Sequence, residues 1–212
     1  ISVWRGLRER YDVRHGIRIQ DAALVAAATL SDRYITNRFL PDKAIDLMDE
    51  AAAEIKMAID SMPHEIELVE RKIVQISIEQ QALKKETDAP SRKRLEEIQR
   101  ELSELNEQKT QMRAKWLQEK ELIAAIRQHK AKVEQLRVDL ERTRRVQDYD
   151  SAAKLQYGDI PAAEKRVEEL QEKLRVVQKD GSYLKEEVTE EDIANVVSRW
   201  TGVPVTKMLE SE

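Results

Sequence analysis

The chain contains no cysteine, which excludes disulfides and thiolate chemistry and suits a reducing, cytoplasmic setting. Aromatic residues are scarce: three Trp, five Tyr and one Phe in 212 residues are too few for a thick sheet-based core. The five glycines are scattered, so no Gly-rich phosphate loop and no Walker-type Gly-Lys-Ser/Thr string is present. No apolar run approaches the ~20 residues of a membrane span, and the N-terminus lacks the basic-then-apolar layout of a signal peptide. Neither sign of charge dominates: 37 Lys and Arg face 41 Asp and Glu, for a net charge of −4. The basic excess or stripe of a nucleic-acid binder is missing. Neither nucleic acid nor a membrane is therefore an expected partner. His15, His64 and His129 lie far apart with no ligand spacing, so no metal site is expected. No Ser/His/Asp set or paired carboxylates stand out from so many charges, so no catalytic residue is assigned.

What is present is charge and aliphatic side chains: 37% of residues are charged and 41% hydrophobic, the latter mostly Ala, Leu, Ile and Val. Such a composition marks long helices and coiled coils. Residues 1–60 read as compact structure. A helix is expected over Ile1 to Tyr11, with Val3, Trp4, Leu7 and Tyr11 on one face, and a break at Gly16. The helix starts as if midway, without Met, which suggests a piece of a larger protein. Ile17-Arg18-Ile19 alternates as a strand does. Asp21 is a plausible N-cap for an Ala-rich, buried helix from Ala22 to Tyr34. Leu40-Pro41-Asp42-Lys43 starts another helix, with Pro in the first turn, where its missing N–H costs least. Pro63 marks a break.

Beyond Pro63 the character changes. Ile66, Val69, Ile73, Ile76 and Leu83 keep 3–4 spacing, and Thr87 to Ser91 forms a turn. From Ser91 to about Gln147 there is neither Gly nor Pro, which predicts a helix ~85 Å long at 1.5 Å per residue. A helix so long needs an apolar stripe packed on something. Leu95, Ile98, Leu102, Leu105, Met112 and Trp116 form one stripe. Leu122, Ile126, His129, Val133, Leu136 and Leu140 form another. The two frames do not join between Trp116 and Leu122, as at a stammer. A different partner for each half is the simplest cause. Residues 64–86 match the first half in length. A last helix from Ile160-Pro161, carrying Ala163, Val167, Leu170, Leu174 and Val177, matches the second. Turns are expected at Val146 to Asp148 and at Tyr157 to Asp159. The fold class expected is mainly α, with a long antiparallel coiled-coil arm of two end-to-end hairpins. Asp180-Gly181 ends the arm. Val188 then reads as a strand residue, and Thr189 with Asp192 as a capping box for Ile193 to Trp200.

Two groups are candidate sites. One is Pro41, Asp42, Lys43 and Ile45, which on the residues alone reads as well as an ordinary helix N-terminus with charges suited to its dipole. The other is the far arm turn, where Arg142, Arg144, Arg145, Asp148, Tyr149 and Tyr157 gather. Tyrosines beside arginines have hot-spot composition; local turn packing is the competing explanation.

At these residues the sequence resembles the Clp/heat-shock family of AAA+ ATPases. The strings are Arg5-Gly6-Leu7-Arg8-Glu9-Arg10-Tyr11, Ala26-Ala27-Ala28-Thr29-Leu30-Ser31, Leu40-Pro41-Asp42-Lys43-Ala44-Ile45-Asp46-Leu47, Leu155-Gln156-Tyr157-Gly158-Asp159-Ile160-Pro161 and Arg199-Trp200-Thr201-Gly202-Val203-Pro204-Val205. The resemblance implies a small AAA+ helical lid subdomain (1–63 and 181–205), an inserted middle coiled-coil domain (64–180) and a linker (206–212). It implies that Pro41, Asp42, Lys43 and Ile45 lie beside the adenine end of ATP bound by the full-length protein, this chain itself holding no cofactor. It further implies a disaggregase homohexamer acting on aggregated proteins. The middle domain would control the ATPase and receive the DnaK chaperone at the tip around Arg142 to Tyr157. The near hairpin would latch the repressed ring. A structural coiled-coil spacer or dimerisation module is the alternative.

Overall fold

The computed structural model describes residues 17–36 and 39–209; the helix expected over residues 1–11 lies outside them. The order is β1 (Arg18–Ile19), α1 (Asp21–Tyr34), α2 (Asp42–Asp60), α3 (His64–Leu83), α4 (Ala89–Arg145), α5 (Tyr149–Lys154), a π-helical turn (Leu155–Asp159), α6 (Ile160–Gln178), β2 (Glu187–Val188), α7 (Glu190–Thr201) and α8 (Val205–Leu209).

β1 and β2 pair in parallel, Arg18 opposite Glu187 and Ile19 opposite Val188, although the whole arm separates them in sequence. The chain thus leaves the small domain after α2 and returns to it at β2. Ala23, Ala26 and Ala27 of α1 let that helix approach its neighbours closely. The core beneath holds Ile19, Leu47, Met48, Ile55, Val188, Ile193, Val196 and Val197, all buried. The capping box is present: Thr189 accepts from the Asp192 N–H, and the Asp192 carboxylate accepts from the Thr189 N–H. Gly202, at φ 75°, ends α7 in the left-handed conformation that glycine tolerates. Asp21, read from sequence as an N-cap, is instead the first helical residue of α1. The sheet explains the shift. The Gln20 N–H donates to the Val188 carbonyl at 3.1 Å, so the extended conformation runs one residue further than expected. Pro41 likewise sits just before α2, whose first helical residue is Asp42.

The arm is built on α4, a single helix of 57 residues. Its first half packs antiparallel on α3, with ion pairs Arg94–Glu79 at 2.8 Å, Lys72–Glu101 at 3.1 Å and Arg113–Glu70 at 3.6 Å. Its second half packs antiparallel on α6, with Arg137 and Glu164 3.0 Å apart. The two end-to-end hairpins share the central helix, and each half has its own partner.

The reason for the change of partner differs from the sequence reading. Ile98, Leu105, Glu119, Ile126 and Val133 are buried, with Met112 half-buried at the remaining position of an unbroken seven-residue repeat. Trp116 and Ile123 continue the second seam row. No stammer separates the halves. The stripe seemed to break because its central position is a buried glutamate rather than an aliphatic residue. Leu122, His129 and Leu136 are half-buried and widen the stripe where α6 joins. The turn expected at Tyr157 to Asp159 is also absent. The chain passes from α5 through the π-helical turn into α6 without leaving helical conformation. The widened turn lets both Ala152 and Ile160 bury against the arm while Tyr157 points outward.

Candidate functional sites at the arm tip and the lid helix

The far tip is made where α4 ends. Three arginines, Arg142, Arg144 and Arg145, occupy the last turn of α4, where cations oppose the negative end of the helix dipole. Gln147 takes φ 61° and reverses the chain. Asp148 then caps α5, accepting from the Ser151 N–H at 3.1 Å. The hydrogen bonds from Ser151 hold its carboxyl below the usual aspartate range. Arg144 donates to the Gln156 side chain at 2.6 Å, tying the end of α4 to the π-helical turn. Arg145 pairs with Glu141 at 3.7 Å. Tyr149 and Tyr157 are 70% and 77% exposed, and Val146 is exposed beside them. All six residues singled out at this end therefore lie on one small structured tip. Its backbone is closed by local bonds that leave both tyrosine rings in solvent. π-helical turns recur at functional sites in helices.

The lid group divides. Pro41 and Asp42 are exposed and Ile45 packs at the edge of the core. Lys43 is buried: its ammonium donates to the Ile35 carbonyl at 3.0 Å and lies 3.6 Å from Asp32. It thereby fastens the end of α1 to the start of α2, a cation against a helix C-terminus. Phe39 and Leu40 are exposed just before it. Further along α2, Arg199 of α7 pairs with Glu50 and Glu54, and the Trp200 indole N–H donates to Glu50 at 3.0 Å.

The residue that sequence reading missed is Glu119. It is fully buried, and its Oε2 accepts the backbone N–H groups of Tyr183 and Leu184, each at 3.0 Å, and the Gln178 amide at 3.2 Å. A signal existed: Glu119 falls seven residues after Met112 and seven before Ile126. A carboxylate at a seam position is a candidate for a specific role. Among the described residues no group of three or more His, Asp or Glu side chains converges as a metal site would need. No described helix is long and apolar enough to cross a membrane.

Residues 1–99 match a family model described as an AAA lid domain. The chain is 52% identical over all 212 residues to the chaperone protein ClpB of Bacteroides thetaiotaomicron, and covers 24% of that protein. It is 50% identical over its full length to ClpB 1 of Thermosynechococcus vestitus, again covering 24%. Over its whole length the chain matches a segment of the ClpB chaperones. It spans about a quarter of the length of these ClpB relatives. A solved structure, the Hsp104–ADP complex of S. cerevisiae, superposes with a TM-score of 0.84 at 33% identity, covering the whole of this chain and 30% of that one. The lid model accounts for the chain only to residue 99. Beyond it, the rest of α4, the tip, α6 and the return to β2 are covered by the ClpB and Hsp104 matches. The small AAA+ lid with an inserted coiled-coil arm is therefore the architecture of this chain.

Proposed function

We propose that this chain is the control and docking segment of an ATP-dependent disaggregase. Residues 1–63 and 181–205 are the lid subdomain of its first ATPase module, 64–180 the middle domain and 206–212 the linker onward. The parent is a cytoplasmic homohexamer that acts on stress-aggregated proteins. ATP binds in the parent, with Pro41, Asp42, Lys43 and Ile45 at the adenine side, and the chain alone turns over no ATP. The middle domain receives DnaK at the tip carrying Arg142, Arg144, Arg145, Asp148, Tyr149 and Tyr157, and it sets the ATPase rate of the ring.

The observation that carries this reading is the match of the whole of this chain to a segment of ClpB, together with a structured tip whose two tyrosines remain in solvent. Amphipathic aromatics and arginines supply much of the binding energy at protein interfaces, and an exposed ring ordered by its backbone loses little entropy on docking.

Titrating the labelled chain with DnaK, observed by NMR, tests it. Shifts confined to residues 142–157 support docking at the tip; shifts found only in the lid would sink it. Tyr157→Ala is expected to weaken binding about tenfold or more while leaving the melting temperature within a few degrees, because the ring is largely unburied. Unchanged affinity would refute the role of Tyr157.

A further inference from the structure

Glu119 is hard to explain as packing. A carboxylate in a helical seam is costly to desolvate, and an aliphatic residue there would pack at least as well. Among the described residues its oxygens meet N–H donors and no cation, and Oε1 has no partner at all. The neighbouring lysines are engaged elsewhere. Lys115 donates to the Gly181 carbonyl at 2.6 Å and lies over the Tyr183 ring; Lys120 lies over the Trp116 ring and 3.9 Å from Asp60.

These contacts form a line. Gly181 meets Lys115, Tyr183 and Leu184 meet Glu119, and Glu186 meets Lys130 at 3.1 Å. Gln171 of α6 also reaches Glu186, at 3.5 Å. The irregular segment from Gly181 to Glu186 therefore runs alongside α4. The helix between Lys115 and Lys130 spans about 22 Å, while Gly181 to Glu186 reaches at most about 18 Å when extended. Side chains make up the difference, and Ser182 and Gln178 both donate to the Leu184 carbonyl at 2.9 Å, which fixes the shape of the segment. It leads directly into β2, and Gln20 beyond β1 is bonded to Val188.

Position along the helix completes the argument. Glu119 lies close to the midpoint of α4, so each half projects ~40 Å from it. The core changes there too. Trp116, Ile123, Ile126, Leu170 and Leu174 belong to the same hydrophobic cluster as the lid, whereas Ile76, Ile98 and Leu105 form a separate one in the near hairpin.

We propose that Glu119 is the pivot of the arm and that Gly181–Glu186 is a strap carrying arm tilt into the β1–β2 pair and α7. Pivot and strap are properties of this chain and hold whether or not the tip docks DnaK. A force on either tip turns α4 about Glu119. The Tyr183 and Leu184 amides follow the carboxylate, and the segment that carries them moves β2.

The test uses the absence of native cysteine. Spin labels at Ala153→Cys, near the tip, and Asn195→Cys, on the lid, report the arm–lid distance. Amide exchange reports the strap. In Glu119→Leu the Tyr183 and Leu184 amides are expected to exchange about ten- to a hundredfold faster. Exchange at Gln20 is expected to rise with them, and the arm–lid distance distribution to broaden, with amides around Ile76 and Ile98 unchanged. Faster strap exchange with an unbroadened distance would make Glu119 a local cap and overturn the proposal. If Glu119→Leu fails to fold, Glu119→Gln, which keeps the shape and one acceptor oxygen, is read the same way. Unfolding of that variant as well would mark Glu119 as a stability element and also overturn the proposal.

Discussion

Two aspartates close the arm turns by the same device. Asp88 caps α4 by accepting from the Ser91 N–H at 3.0 Å and from its hydroxyl at 2.7 Å; Asp148 caps α5 through Ser151. Both carboxyls are held below the usual aspartate range, first by the side-chain bond and then by the backbone bond from the serine. A depressed folded-state value means that the ionised form favours the folded turn. That contribution is complete above the ordinary aspartate value of about 4 and is lost as pH falls through the lower, folded-state value. The protection of the Ser91 and Ser151 amides, taken as intrinsic over observed exchange rate at each pH, is therefore expected to hold at neutral pH and to fall only below about pH 4. Asp148→Asn keeps an acceptor at the cap and should remove the pH dependence at Ser151 alone. A protection factor at Ser151 that still falls below about pH 4 in that variant would count against this account. The capping pair Thr189 and Asp192 was legible in the sequence because both partners lie within one turn. Glu119 was missed, because its partners, the Tyr183 and Leu184 N–H groups and the Gln178 side chain, lie about sixty residues away and only its place in the seven-residue repeat marks it.

The two hairpins differ in how they are held. The near hairpin of α3 with the first half of α4 has its own cluster around Ile76, Ile98 and Leu105, and its outer face leaves Val74 and Ile78 exposed. The far hairpin of α4 with α6 is rooted in the lid core through Ile126, Leu170 and Leu174. Ile98 is fully buried, so Ile98→Ala is expected to remove about 2–5 kcal/mol. The loss should be local, because separate clusters open separately. Hydrogen exchange should speed up along α3 and the first half of α4, with the α1, α2 and α7 core unchanged. Uniform loss of protection through the lid would show that the hairpin and lid are one cooperative unit.

At the scale of the whole molecule, the intramolecular hairpins bury the arm's seams without a second chain. The chain is expected to be an elongated monomer, with a largest dimension by X-ray scattering of at least the ~85 Å of α4. A concentration-independent mass at the monomer value in sedimentation checks the first point, and the scattering envelope checks the second. A parallel dimer would overturn the arm topology. The long helix and its two partners were legible in the sequence, since each rests on periodicity; the return of residues 181–205 to the small domain was implied by the family resemblance. The parallel strand pair was visible only as two short apolar stretches, because nothing local records which strand each one meets.

The sequence by itself determined that the chain is a helical arm set into a small domain. The seven-residue repeat, the glycine- and proline-free span and the capping residues act over one or two turns, and local interactions suffice to express them. Only the tertiary structure decided how the arm is joined to that domain. The join is made by a buried carboxylate on the backbone N–H groups of Tyr183 and Leu184 and by Lys115 on the Gly181 carbonyl. Both depend on main-chain groups brought together from distant parts of the chain. Main-chain groups are the same at every residue, so their pairing is decided by folding and not by the residue types beside them.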